Sequence, residues 1–598
     1  MKINKTSALL VCLLFFSISV PAQKASFAYT VKMDNPEWHF FHVQLSCKGI
    51  KQDFIDFKMP AWTPGYYQKM DYGKNLERLK ATDETGKELK WEKINDNTWR
   101  VPSKNSTTVN LAYEIKTARS FVATAYLDET RAYILPAAVF LYVDKMINQS
   151  VQVTVVPDSK WRNVATGLDS IAGKKFTYAA PDFDILYDCP ILVGNLEELT
   201  PFKVKGISHR FVGFKLGDFD KQQFMLDLKK MVEAAVNIIG HIPYKSYTFI
   251  AMGPGQGGIE HLNNTTFGFN GANLNKRENY IRTLHFLAHE YFHHYNVKRI
   301  RPIELGPFDY DKGSRTKMLW ISEGFSVYYE YLIVKRADIS TDAELFNSFR
   351  ENMIAFENKP GKLYQTLEQA SYETWSDGPF GRTGDEIDKT ISYYDKGPAV
   401  GLVFDLKIRH LTKNKKSLDD VMRFLYKEYY QKKKRGFTEE ELRNAFETVA
   451  GGSLAEEFEY VTTTKELDYP TYFKYAGLNI DTTTQALSGA YAGFTLRERE
   501  DSIFIANVDY ESPGWNASIR RGQPVLKING ERSSVSGFNK IISSARPGDK
   551  LSFSLLINKE PKDIEVILGK KTEKGFKITP AGNPDPLQKQ ILEGWLKG

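Results

Sequence analysis

The chain has 598 residues, of which 42% are hydrophobic, 26% charged and 13% aromatic. That length is too great for one core and implies several domains, and the even composition excludes a low-complexity chain. A net charge of +7, scattered along the chain and partly carried by Lys2 and Lys5, gives no footprint of nucleic-acid binding.

In chain order, residues 1–22 read as an export signal. Lys2 and Lys5 supply a positive start, Ala8 to Val20 an apolar run, and Val20-Pro21-Ala22 a small-residue cleavage site before Gln23. Cys12, inside that run and after Val11, lacks the setting of a lipid-attachment cysteine. No other stretch reaches the ~18 apolar residues of a membrane span. The mature chain is therefore expected to be soluble and exported, periplasmic or secreted, with no integral membrane segment. Cys47 and Cys189 either pair in an oxidising compartment or remain buried thiols.

Residues 23–200 predict an N-terminal β-domain, sandwich-like. The segments 27–31, 40–45, 107–113 and 151–155 alternate or carry β-branched and aromatic residues between turns. The loop Pro60-Ala61-Trp62-Thr63-Pro64-Gly65-Tyr66 is either a rigid packed turn or a reach toward a cleft. From 201 to 475 the character changes. An amphipathic helix over 220–239 is stopped by Gly240, a strand covers 247–252, and a glycine-rich loop, Gly253 to Gly258, leads into Ile259-Glu260-His261. After a strand over 265–269, the stripe Ile281, Leu284, Ala288, Tyr291, Phe292 and Tyr295 predicts a helix over 280–297. Helical patterns then cover 323–337, 343–357, 397–411, 418–430 and 439–450. The runs Lys413 to Lys416 and Lys432 to Arg435 read as solvated helix ends. Residues 476–575 return to short strands, and 576–598 read as a C-terminal tail. The whole is a multidomain α+β chain.

The helix over 280–297 carries His289-Glu290-Tyr291-Phe292-His293. Imidazoles four residues apart share a helix face and reach one metal ion, and the intervening Glu290 can reach its water. A third protein ligand with one open position makes a catalytic zinc site. Asn296 and Arg299 stand where a metzincin needs glycine and histidine, which excludes that class. Glu304, Asp309 and Asp311 sit in a Pro/Gly-containing loop. Glu323 opens an apolar helix (Phe325, Val327, Tyr328, Tyr331, Leu332), a rigid support, and is the preferred third ligand. His285 reads as structural, since a third ligand from the same face would strain it.

Together, His289 to His293, Asn296-Val297-Lys298-Arg299-Ile300-Arg301-Pro302 and Trp320-Ile321-Ser322-Glu323-Gly324-Phe325 resemble the glycyl aminopeptidase family of zinc metallopeptidases. The resemblance covers almost the whole mature chain. It implies an N-terminal β-domain with a Trp-Thr-Pro-Gly loop, a thermolysin-like catalytic domain of a mixed lobe and a helical lobe, and a PDZ domain. The Trp-x-x-Glu-Gly-Phe block is shared with the larger alanyl-aminopeptidase family, which supports Glu323 as third ligand to one Zn2+ per chain. By the same resemblance Glu260 anchors the substrate amine, with Gly257 and Gly258 letting its backbone approach. In this chain His261 stands where the similar Gly-x-Met-Glu-Asn strand of the larger family has asparagine. Tyr394-Asp395-Lys396-Gly397 resembles the Tyr-Glu-Lys-Gly block of the larger family, which implies Tyr394 as the oxyanion donor and leaves Tyr393 a packing residue. Ser512-Pro513-Gly514 and Val525 to Gly530 resemble a PDZ domain, with Gly493 and Phe494 in the loop that captures a chain-terminal carboxylate, though Gly522-Gln523 replaces its usual Gly-Asp.

The expected protein is an exported zinc aminopeptidase acting on peptides with a free N-terminus, and the resemblance, not the residues themselves, implies a preference for small N-terminal residues, glycine or alanine. Glu290 takes the proton of a zinc-activated water. Two rival readings are a zinc endopeptidase on the same scaffold and a non-catalytic PDZ-containing peptide-binding protein with a vestigial metal site. The intact Glu290 argues against the second.

Overall fold

Alternating strands build the N-terminal part. In the computed structural model, which describes residues 25–117, 120–381 and 389–598, Ser26–Lys32, Phe40–Lys48 and Thr108–Lys116 each turn one face inward. The expected export signal, 1–22, lies outside the described residues. These strands are neighbours in an eight-stranded sheet, where Val43 faces Tyr113 and Leu45 faces Leu111 across the pair. Two four-stranded sheets close over the same core, which holds Tyr29, Phe41, Phe57 and Tyr133. Cys47 and Cys189 are both buried and free, so no disulfide joins them.

The next sheet supports the site. Ile207–Gly213, Ser246–Ala251 and Asn264–Phe267 run parallel, and Gly258–Glu260 lies antiparallel at the edge. Helix α1 (Lys221–Ile239) begins where the Asp220 side chain accepts from the Gln223 N–H and ends at Gly240, in the left-handed region at φ 87°. Helix α2 (Arg277–Phe292) stops short of the expected 297. Beyond His293 the chain doubles back. Val297 takes φ 141°, and the N–H groups of Lys298 and Ile300 donate to the carbonyls of His293 and Tyr295.

Helix α3 (Phe325–Arg336) follows a wide π-helical turn, Trp320–Gly324. Helix α4 (Asp342–Glu357) opens with a reciprocal Thr341–Glu344 capping box, and α5 (Tyr393–Leu411) runs beneath α3. Gly324 and Gly397 let the two backbones touch, since a Cβ on either would meet the other's Cα at 2.5–2.6 Å.

Toward the C-terminus, the hairpin Phe494–Arg499/Ser502–Val508, a four-stranded sheet and the helix Val535–Ser544 surround a separate small core of Phe494, Ile505 and Phe553. The chain then returns. Lys577–Pro580 pairs with Leu478–Asp481, and α6 (Pro586–Lys597) docks on the helical lobe. Trp595 is fully buried there, its Nε1–H donating to the Tyr328 hydroxyl at 3.0 Å. Residues 576–598, expected as a tail, thus share the core of the helical lobe. No described helix is long and apolar enough to cross a membrane.

Candidate active site

His289 and His293, one turn apart at the end of α2, bring their Nε2 atoms within 2.9 Å of each other. Glu323, on the π-helical turn ahead of α3, places Oε2 3.5 Å from His289 Nε2 and 3.2 Å from His293 Nε2. Tetrahedral ligands about 2.0–2.1 Å from zinc stand about 3.4 Å apart, so the three donors have the spacing such an ion needs. Among the described residues they form the one cluster of three potential metal donors, and all three are buried. The other carboxylates considered are engaged elsewhere. Glu304 accepts from Thr316, Asp309 accepts N–H bonds within its own turn, and Asp311 accepts from Lys58, Asn97 and Tyr142.

Each donor is held from behind. His293 Nδ1–H donates to the Asn296 carbonyl at 2.7 Å, which leaves Nε2 free for a cation. Glu330 Oε2 lies 2.9 Å from His289 Nδ1. The Asn296 amide donates to the carbonyls of Ile321 and Ser322 and to Ser326 Oγ at 2.8–3.1 Å, stitching the turn after α2 to the segment that bears Glu323. Burial works against charge on His289, yet Glu323 and Glu330 hold its pKa well above the usual imidazole range. The site therefore favours positive charge, and a divalent cation fits both its spacing and its electrostatics. Sequence reasoning missed Glu330 as a partner of the site. The available signal was a lone carboxylate two turns after Glu323 on an apolar helix.

Glu290 is buried beside the cluster. Burial pushes its pKa up to about 7, although His289 and His293 oppose the rise. Gly258 lies over it, where a Cβ would strike the Glu290 carboxylate and the Phe286 ring, and Gly257 sits beside it at φ 85°. The Tyr394 hydroxyl donates to Glu323 Oε2 at 3.0 Å, while Tyr393 is buried with its hydroxyl 3.1 Å from Thr374. Glu260 is buried with Oε1 lacking a hydrogen-bond partner, 3.9 Å from Lys298 Nζ. Asp188, from the β-domain, binds Lys298 at 2.8 Å and lies 3.4 Å from His261 Nδ1.

The loop around Trp62, for which a packed turn and a reach toward the cleft were alternatives, does both. Trp62 is fully buried and its Nε1–H donates to the Asp309 carbonyl at 2.7 Å. Gly65, at φ 91°, rests on the Glu260 carboxylate, where a Cβ would come within 2.7 Å of Oε2. A cavity of about 450 Å³ opens beside Gly65, Gly258, His289, Glu290 and Tyr394, with Tyr66, Phe121, Phe286 and Phe380 among its walls. His285 stands outside the metal cluster, its ring 5.0 Å from that of Tyr331. Gly493 and Phe494 are not brought to this site. Phe494 stacks on Phe538 at 5.3 Å within the small C-terminal core.

Residues 28–195 match the family model of the peptidase M61 N-terminal domain, and residues 282–400 match that of the M61 glycyl aminopeptidase. The structure is similar to the crystal structure of an aminopeptidase N family protein from Idiomarina loihiensis. The TM-score is 0.85 at 22% identity, over 95% of this chain and 100% of that one, which shows a shared fold. An M1 zinc metallopeptidase from Deinococcus radiodurans aligns with a TM-score of 0.46 and 13% identity, over 75% of this chain and 95% of that one. A search of curated proteins found no match. The two family models fall in order along the chain, the second spans every donor of the metal cluster, and these two segments carry the domains of the M61 glycyl aminopeptidase family.

Proposed function

We propose that the protein is an exported zinc aminopeptidase that removes small N-terminal residues, glycine or alanine, from peptides. The observation that carries the reading is the convergence of His289, His293 and Glu323 beside a buried Glu290. Those three side chains would hold a zinc ion, which when bound would supply Lewis-acid chemistry and lower the pKa of a water. Glu290 would accept a proton from the attacking water and deliver it to the leaving amine. Tyr394 turns its hydroxyl from Glu323 to the oxyanion of the tetrahedral intermediate. Glu260 takes the free ammonium of the substrate as its charge partner, a role supported by its burial without a hydrogen-bond partner for Oε1. Gly257 and Gly258 admit the substrate backbone beside Glu290.

The basic, apolar leader over 1–22 supports export. The small C-terminal unit is proposed as PDZ-like, with Gly493 and Phe494 opening the strand that would receive a peptide C-terminus.

Hydrolysis of a panel of free and acetylated aminoacyl substrates, with and without chelator, tests the reading. Cleavage confined to free amines, fastest for glycine and alanine, and abolished by chelator is expected. Equal cleavage of acetylated peptides would make it an endopeptidase instead.

A further inference from the structure

Phe286, Glu330 and Tyr331 line the catalytic cavity, and the same three side chains line a second, larger cavity of about 690 Å³ between α2, α3 and α4. Both volumes fall in the range of about 300–1,000 Å³ typical of ligand clefts.

The order of groups along α2 gives a direction. Lys298, the neighbour of Glu260, lies just beyond the C-terminal end of the helix. His289 and His293 occupy its last turn, and Gly258 packs against Phe286 and Glu290 before that. Arg277, Ile281, Arg282 and His285, in the N-terminal half, wall the second cavity. The amine anchor and the second cavity therefore lie on opposite sides of the metal donors. From His289 back to Arg277 the helix spans about 18 Å at ~1.5 Å per residue. That is the length of about five residues of extended chain at ~3.3 Å each.

Most charges on these walls are paired, while Glu351 accepts from the Asn347 amide at 2.9 Å. Arg277 forks onto Glu344 at 2.9 and 3.0 Å, Arg282 donates to Glu278 at 2.7 Å, and Glu330 faces His289. Burial lowers the pKa of His285 to about 4, so its imidazole is neutral, and its Nε2 has no hydrogen-bond partner. The cleft offers polar groups and apolar area from Ile281, Phe286 and Tyr331.

We propose that this second cavity seats the part of a peptide substrate that follows the scissile bond, so that the enzyme prefers oligopeptides of about five or six residues to dipeptides. The proposal rests on the aminopeptidase reading, because an amine held at Glu260 sets which way the peptide runs.

Steady-state kinetics on unblocked alanyl peptides of two to eight residues tests it, together with calorimetric binding of the same peptides to the Glu290→Gln protein. KM and Kd are expected to fall about tenfold between two and six residues and then level. Asn347→Trp, at an exposed position of α4 that lines the cavity, should raise KM for the six-residue peptide about tenfold with kcat held. Arg282→Trp, exposed on the facing wall, should do the same. In both, the long-to-short ratio of kcat/KM should fall to about one. Flat length dependence in an enzyme that cleaves free dipeptides overturns the proposal and leaves the aminopeptidase reading standing. So does a length gain that survives both tryptophans. Length-dependent binding to Glu290→Gln that the tryptophans abolish, with no cleavage of any unblocked peptide, keeps the seat and overturns the activity.

Discussion

Glu290 and Glu323 are carboxylates buried in one cluster, yet their surroundings pull them apart. Burial raises Glu290 to about 7. Burial opposes charge on Glu323 too, but His293 and His289 hold its carboxyl well below the usual range. A carboxylate kept ionised suits a metal ligand, and one near neutrality suits a proton carrier. Glu290→Gln should lower kcat by about 10²–10⁴-fold while the protein still binds one zinc, read by turnover beside metal analysis. Glu330→Gln should weaken zinc affinity by about 10–100-fold, because it removes the carboxylate behind His289 Nδ1. A competition titration with a chelating dye measures that loss. The two histidines were legible because a four-residue spacing puts them on one helix face whatever the rest of the chain does, and Glu290 because it directly follows the first of them. Glu330 was not, because only the packing of α3 on α2 turns it toward His289.

At the scale of elements, the metal site is a join between the end of α2 and the turn before α3. Asn296 fastens that join through three hydrogen bonds. In the sequence it excluded another class of metallopeptidase and opened one of the resembling blocks, with no sign of this fastening role. Helix α6 shows the same limit. Its Pro586–Lys597 span is short and follows a small, separately packed unit, so nothing local ties it to α3. The fold buries Trp595 completely against Tyr328, Phe346 and Phe349. Trp595→Ala should therefore destabilise the helical lobe by about 3–5 kcal/mol. The denaturant midpoint of the transition reported by catalytic-lobe fluorescence measures it, and a midpoint equal to wild type would mean that α6 is dispensable to the lobe.

Over the whole molecule, the β-domain and the catalytic lobe meet through buried charge. Asp188 accepts from the Leu262 N–H at 2.6 Å and pairs with Lys298 at 2.8 Å, next to Glu260. Burial works against its charge, but Lys298 and His261 bring its pKa down to about 2. A depressed carboxylate contributes stability above its unfolded value of about 3.9, and that contribution disappears as pH falls through about 2. Acid unfolding of Asp188→Asn should thus lack roughly 2 kcal/mol of the wild-type loss over this window, measured as midpoint against pH. The chain order of strands and helices, the two histidines and Glu290, and the preference for Glu323 were all set by the sequence alone, because periodicity and short spacing act through neighbouring residues. The tertiary structure alone decided that Gly65 of the β-domain covers Glu260, that Glu330 stands behind His289, and that a second cavity adjoins the first. Those are contacts between residues far apart in the chain, and only packing brings them together.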